Sequence, residues 1–169
     1  MSAATTTDQL RVRRTLQPGD PGEITELHRR LYGPEYGLGD AFVGAVRAGV
    51  EAAVAAGWPQ GGGSVWLVEH DGVVRGSLGL TDDGDGLGKV RWFALESSLR
   101  GRGLGRSLLD ELLALAARTS GMRRLELGTF SALTTAGRMY RRAGFRVTSQ
   151  HEWTDWGPPV TFQHYALDL

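Results

Sequence analysis

VRWFALESSLRGRGLGRSLLDE, residues 90–111, is the stretch on which the reading of this chain turns. It begins with an apolar, β-rich run, Val90 to Leu95, and passes into leucines at helical spacing, Leu104, Leu108, Leu112 and Leu115. Between them lies RGRGLG, Arg100 to Gly105, with Arg106 behind it. A strand that runs into a helix leaves backbone N–H groups free at the junction and presents the positive end of the helix dipole there. Glycines let such a backbone approach a ligand and take positive φ, while Arg100, Arg102 and Arg106 add planar donors suited to phosphate. The segment therefore reads as an anion cradle, or else as a tight turn carrying solvated arginines.

Working outward, Leu10 to Leu16 is a short strand candidate closed by Pro18 and Gly19. Asp20 is placed to cap a helix with Pro21 at its first position and Glu23 at capping-box spacing; Ile24, Leu27, His28 and Leu31 form its stripe, and YGPEYGLG breaks it. Asp40 is placed to cap a second helix carrying Phe42, Val43, Val46, Val50 and Val54, stopped at Gly57 to Pro59. VWLVEH and VVRGSLGL follow as strands joined by Asp71-Gly72, a strong hairpin signal, and KVRWFAL completes a meander. Beyond the glycine loop come a helix ending near Gly121, a strand from Arg124 to Thr129, a helix from Leu133 to Ala143, and strands at Phe145 to Trp153 and Thr161 to Leu169. The order β-α-α-β-β-β-α-β-α-β-β is α+β, with a mostly antiparallel sheet.

Composition narrows the function classes. A chain of 169 residues, 41% hydrophobic and 22% charged, suits one globular domain over residues 10–169 behind a disordered tail, 1–9. Nineteen basic residues balance nineteen acidic ones, so no overall charge draws the molecule to nucleic acid or to a membrane surface, and any anion site is local. With no cysteine, a disulfide framework, a thiol nucleophile and a thiolate metal site are excluded. The four histidines lack metal-ligand spacing, and Asp82, Asp83 and Asp85 lack that of a calcium loop, so no metal is expected. MSAATTTDQ has no apolar core of the kind a signal peptide needs, which points to a cytoplasmic protein. Trp66 and Trp92 read as core strand residues.

The P-loop pattern fails because Lys89 is the only lysine, and it precedes the loop. A dinucleotide fingerprint starting at Gly101 and Gly103 would need its third glycine at Arg106, and it also requires repeated β-α-β units. Glu126 stands near the distance of its ribose-binding acid. By contrast R-x-x-G-x-G after a strand and before an apolar helix, followed by AGRMYRRAGF at Ala136 to Phe145, resembles the acetyl-CoA signature of the GNAT superfamily of N-acetyltransferases. VRWFALESSLRGRGLGRSLLDE and EYGLGDAF are most similar to the acetyltransferase half of bacterial proteins that fuse a MarR-type repressor to a GNAT domain. No repressor half is present, so a stand-alone enzyme is expected.

The resemblance implies acetyl-CoA as co-substrate in a V between diverging strands. Arg100, Gly101, Arg102, Gly103, Leu104, Gly105 and Arg106 would cradle its pyrophosphate, and Phe93, Ala94 and Leu95 would offer backbone groups to its pantetheine arm. Ser131 would make the contact for which relatives use an asparagine. Tyr140 would protonate the departing thiolate, its phenol being protonated at neutral pH. Lys89 and Arg91 stand where some relatives carry a glutamate, which leaves Glu96, Glu126 or a water chain to take the amine's proton. Tyr32, Glu35, Tyr36 and Trp153 border the acceptor site in the family, and aromatic walls with carboxylates suit a cationic primary amine of a small molecule or peptide. Trp153 and Trp156 would equally serve a homodimer interface. The alternatives in function are a non-catalytic acyl-CoA-binding or interaction module of the same shape, and a dinucleotide-binding protein.

Overall fold

A computed structural model describes residues 9–169. The expected tail, residues 1–9, falls outside them apart from Gln9. The first strand, β1 (Leu10–Arg13), is shorter than its pattern, because the chain leaves the sheet to enter α1 (Asp20–Tyr36). Asp20 does not cap that helix. It is the first helical residue, and its carboxylate accepts from both terminal nitrogens of Arg13, at 2.6 and 2.9 Å, and from the Gln17 N–H at 2.5 Å. The Arg13 guanidinium, buried and also bonded to Glu69 at 2.8 Å, claims this carboxylate ahead of the helix N–H groups. An ion pair thus pins α1 to the edge of the sheet.

YGPEYGLG does end α1, at Tyr36 within the stretch. Pro34 forfeits one hydrogen bond in the last turns, and the helix runs on to Gly37, where a φ of 67° closes it with a left-handed glycine cap. Gly37 N–H reaches the Gly33 carbonyl at 2.8 Å, and Leu38 N–H that of Tyr32 at 3.3 Å. The second helix, α2 (Asp40–Ala55), is entered through Gly39, and the Asp40 side chain, fully exposed, caps nothing. Next comes the meander β2 (Ser64–His70), β3 (Val73–Asp82) and β4 (Leu87–Leu95). Its first turn has Asp71 and Gly72 at φ 52° and 74°, as an Asp-Gly hairpin turn requires.

A 3-10 turn at Ser97–Leu99 leads through the glycine loop into α3 (Leu104–Arg118), followed by β5 (Arg124–Phe130), α4 (Thr134–Arg142), β6 (Arg146–Trp153) and β7 (Val160–Asp168). The buried face of α3 is Leu108, Leu109, Leu112 and Ala116, with Leu104 and Leu115 half-buried at its margin. The seven strands of the described residues form one sheet, ordered β1-β2-β3-β4-β5-β7-β6. All neighbours are antiparallel except β4 and β5, so the repeated parallel units of a dinucleotide fold are absent from the described sheet. One core, around Trp66, Leu78, Leu125 and Tyr165, lies under α3 and α4. The other, around Ile24, Leu27, Val50 and Leu67, lies under α1 and α2. Each fully buried Leu or Ile contributes about 1.5–3 kcal/mol, so these two cores carry the fold. Trp66 lies in the first core, its indole N–H satisfied by Glu111 at 2.9 Å. No helix among the described residues is long and apolar enough to cross a membrane.

Two irregularities in β4 shape the site. Its parallel pairing with β5 lasts only from Leu87–Arg124 to Lys89–Glu126, and beyond this both strands continue unpaired to each other. Against β3 the register slips between Gly79–Arg91 and Ser77–Ala94, leaving Trp92 with a φ of 50°. A left-handed tryptophan is strained, and its surroundings hold it. Ser77 Oγ donates to the Trp92 carbonyl at 2.6 Å, and the ring meets Trp58 edge-on at 5.0 Å. A Cβ at Gly79 would stand 2.8 Å from the same ring, so glycine is required there. Trp92 is thus half-buried at a bulge, not a core residue of a regular strand.

Removing the Asp20 carboxylate leaves the Arg13 charge buried with only Glu69 beside it. Asp20→Ala is expected to lower the unfolding free energy by about 3 kcal/mol in urea titrations, at the low end for a broken buried pair because Glu69 remains. A loss below about 1 kcal/mol, the range of an exposed pair, would contradict this role.

Candidate active site

Where β4 and β5 part, a cavity of about 1500 Å³ opens through the sheet. It is bordered on one side by α3 and α4 and on the other by α1, α2 and the β6–β7 connection. The glycine loop closes its α3 end. Gly101 and Gly103 have φ of 75° and 76°, and the first bond of the helix runs from Ser107 N–H to the Gly103 carbonyl at 3.0 Å. No side chain caps α3, so the N–H groups that precede Ser107 are free for a ligand. Gly105 serves packing, since a Cβ there would meet the Leu95 side chain at 3.3 Å. Arg100, Gly101, Gly103, Leu104, Gly105 and Arg106 all line the cavity, whereas Arg102 is exposed and does not. Arg100 is steadied by Nε donating to the Leu95 carbonyl at 2.9 Å. A phosphate-bearing coenzyme fits this end on two counts, the uncapped helix start and the arginines around it.

Phe93, Ala94 and Leu95 lie along the cavity on the stretch of β4 that has lost β5 as a partner. Tyr140 enters from α4, only 5% exposed, among Phe93, Phe145 and Tyr165 with ring centroids 6.5, 5.9 and 5.7 Å away. Its hydroxyl makes no hydrogen bond among the described residues, and burial raises its pKa well above the ordinary phenol range. Arg138 and Arg142 line the α4 side and are exposed. Ser131 is also exposed and does not reach the cavity, although its neighbours Ala132 and Leu133 do.

On the opposite face, Tyr32, Glu35 and Tyr36 are brought to the cavity by the continuation of α1. Tyr32 is half-buried, its hydroxyl donating to the Phe93 carbonyl at 3.5 Å, and desolvation pushes its pKa up to about 12 against the pull of Arg100. Trp153 does not line the cavity. It is half-buried against Trp156, at 5.4 Å between rings, and it is Trp156 that faces the site and packs on Phe42 and Phe130 at 5.3 and 5.8 Å. Trp156 is therefore packed within the chain. Its carbonyl accepts from Gly39 N–H at 3.0 Å, which ties the β6–β7 turn to the α1–α2 turn as a joint wall.

The acidic candidates separate. Glu96 is held by Arg75 at 2.9 Å and Arg30 at 3.1 Å and does not line the cavity. Glu126 does line it, accepting from Arg124 at 2.9 Å beside the last paired residues of β4 and β5. His28, Phe42, Phe130 and Arg91 also reach the site. The helical stripe of α1 makes His28 indistinguishable from a core residue in sequence, and nothing local marks Phe42 or Phe130. Among the described residues no group of three or more His, Asp or Glu is placed to hold a metal ion.

His28 is a neutral imidazole. Nδ1 lies 2.8 Å from the Ile24 carbonyl, which can only accept, so Nδ1 carries the hydrogen and Nε2 is an acceptor. Burial lowers its pKa to about 4. A depressed pKa gives stability that is complete above the unfolded value near 6.5 and is lost as pH falls toward 4, up to about 3 kcal/mol for this group. Urea titrations at pH 7.5 and 4.5 should therefore show a steeper loss in the parent than in His28→Leu. Parallel losses in the two proteins would contradict the buried neutral assignment.

The chain matches the acetyltransferase (GNAT) family over residues 25–145. Among solved structures it is similar to an acetyltransferase from Streptococcus agalactiae, with 17% identity, a TM-score of 0.74, and 95% of this chain and 98% of that one covered. YncA from Salmonella typhimurium, solved with its cofactor acetyl-CoA, is 23% identical with a TM-score of 0.67 over 95% and 94% of the two chains. The ribosomal-protein-alanine N-acetyltransferase from Brucella melitensis is 16% identical, with a TM-score of 0.67 over 94% and 99%. At these identities the likeness is one of fold, and the match over well more than half of the sequence settles descent: this chain belongs to the GNAT family of acetyltransferases.

Proposed function

We propose that this protein transfers an acetyl group from acetyl-CoA to a primary amine of a small molecule or peptide, by direct attack while both are bound. The observation that carries this reading is the parting of β4 from β5 beside an uncapped helix start, with Tyr140 between them. One end of the cleft suits phosphates, its middle offers unpaired strand edge, and its far side opens on the aromatic wall of α1 and α2. The local similarity to the acetyltransferase half of MarR-type fusions supports the same assignment.

Bound acetyl-CoA supplies the acetyl group as a thioester, whose C–S bond breaks as the new C–N bond forms. The free N–H groups of α3, with Arg100 and Arg106, hold the pyrophosphate; strand β4 from Phe93 to Leu95 aligns the arm with its unpaired edge. An amine attacks only when neutral, a state that a lysine-like amine occupies about once in a few thousand molecules at pH 7. Proton removal falls to Glu126, which lines the cavity, or to water, since Glu96 is engaged with Arg30 and Arg75 outside it. Tyr140 donates its proton to the departing sulfur. Its raised pKa keeps the phenol protonated at every pH at which the amine can be neutralised.

The test is release of free thiol from acetyl-CoA in the presence of small amines, aminoglycosides and peptides with free N-termini. Amine-dependent release is expected, and Tyr140→Phe, which keeps the ring packing, should lower turnover by up to about 10², the low end for a general acid because a thiolate is already a fair leaving group. Coenzyme affinity should stay within about twofold, since the ring and not the hydroxyl fills the site. In the parent no alkaline fall in rate should appear before the ordinary phenol range is passed. Parental turnover in the variant would make Tyr140 a packing residue, and coenzyme binding without thiol release from any amine would favour a non-catalytic acyl-CoA module.

A further inference from the structure

Arg91 is a half-buried cation at the cavity that no carboxylate among the described residues meets at ion-pair distance. It lies on β4 one residue before the bulge, on the face covered by α1 and α2, and lines the cavity. Its guanidinium stacks 4.3 Å from the centroid of the Trp92 ring, and a terminal nitrogen lies 3.0 Å from where a Cβ on Gly49 of α2 would stand. The half-buried side chain makes no hydrogen bond or ion pair to another described residue. Other cations at the cavity are engaged or exposed. Lys89 pairs with Asp83 at 3.1 Å, Arg106 with Asp110 at 3.9 Å and Arg100 with Glu35 at 4.0 Å, while Arg138 and Arg142 stand in solvent on the α4 side. Burial lowers the Arg91 pKa, with Asp83 at longer range acting against it, yet a guanidinium remains charged at neutral pH. Holding a half-buried charge beside an apolar wall without a partner is unfavourable, and a ligand anion would relieve it.

We propose that Arg91 anchors a carboxylate of the acceptor, so that the amine acetylated is an amino acid or a similar compound with its carboxylate close to the nitrogen. The identity of the reacting amine rests on the acetyl-transfer reading; the anchor itself is a binding site that can be measured without the coenzyme. From Arg91 to Phe93 is roughly 7 Å along a strand, so a carboxylate on Arg91 leaves the adjoining amine near the bulge and the parted strands. One available cation suits a monoanion held by a planar fork better than a phosphate dianion, because Lys89 is already neutralised by Asp83. His28, Tyr32, Phe42, Phe130 and Trp156 surround the same side of the cavity and suit an apolar or aromatic side chain on the acceptor.

Matched pairs that differ only by the carboxylate test this: L-phenylalanine against phenethylamine and L-tryptophan against tryptamine in thiol release, and N-acetyl-L-phenylalanine against N-acetylphenethylamine in quenching of tryptophan fluorescence without coenzyme. The parent should favour the carboxylate member by about tenfold or more, the scale of a charge-assisted hydrogen bond pair. Arg91→Gln should bring that ratio to near unity, and Arg91→Lys should restore part of it. Circular dichroism on each variant checks the fold, and the ratio within one variant is independent of how much protein is active. No preference in the parent for either pair, or a preference that survives in Arg91→Gln, would overturn the anchor. A carboxylate preference in binding without any acetyl-CoA-dependent thiol release would support the anchor and refute the acetyl-transfer reading, while turnover without the preference would refute the anchor alone.

Discussion

The site depends on a single departure from regular pairing: β4 stays with β5 only as far as Lys89–Glu126 and then leaves it. Every other neighbouring pair in the sheet is antiparallel and continues for most of the strands' length. Strand edges left open in a protein interior carry unsatisfied N–H and C=O groups, which is unfavourable unless something else pairs with them. The fold accepts this because two independent cores, one on each face, hold β4 and β5 from the outside. The bulge at Trp92 adds to the divergence by turning β4 out of register with β3, and the close fit of Gly79 against the Trp92 ring fixes where that turn occurs. Strain at Trp92 is thus stored beside the cleft and held by Ser77 and Trp58.

Passing through the sheet, the cleft joins two environments with different chemistry. Its α3 side has free amides at the helix start, left-handed glycines and exposed arginines, features that favour an anion in contact with water. Its α1–α2 side has aromatic rings, a neutral imidazole and one half-buried guanidinium, and it is closed by the bond between the two turns at Gly39 and Trp156. Tyr140 sits where these sides meet, in surroundings that keep its phenol protonated. The division of labour proposed for the two sides, coenzyme on one and acceptor on the other, follows from that difference in polarity.

Much of the fold is legible in local sequence. Asp71-Gly72 specifies its hairpin, the leucines of α3 mark the helix, and the order of elements matches the chain as folded, with a short 3-10 turn added. What escapes is what long-range partners decide. Asp20 has the spacing of a helix cap, yet a buried arginine takes its carboxylate. The positive φ of Trp92 has no local signature, because it is imposed by the register of β3 and the room left at Gly79. The open helix start at the glycine loop was readable because backbone chemistry alone defines it. On the α1–α2 side Tyr32, Glu35 and Tyr36 reach the cavity as read, but His28 and Phe42 look like core residues in sequence, while Glu96 is held away by ion pairs, Ser131 by exposure and Trp153 by packing on Trp156 that only the packed chain reveals.

Calorimetric titration with acetyl-CoA, with NAD and ATP as controls, puts the cleft to its most direct test. Saturable binding of acetyl-CoA alone is expected, weakening as salt is raised because the phosphates meet arginines at the open end of the cleft. Acetyl-CoA that fails to bind, or that binds no better than NAD or ATP, would contradict the assignment of the parted strands and the α3 loop to a coenzyme A thioester.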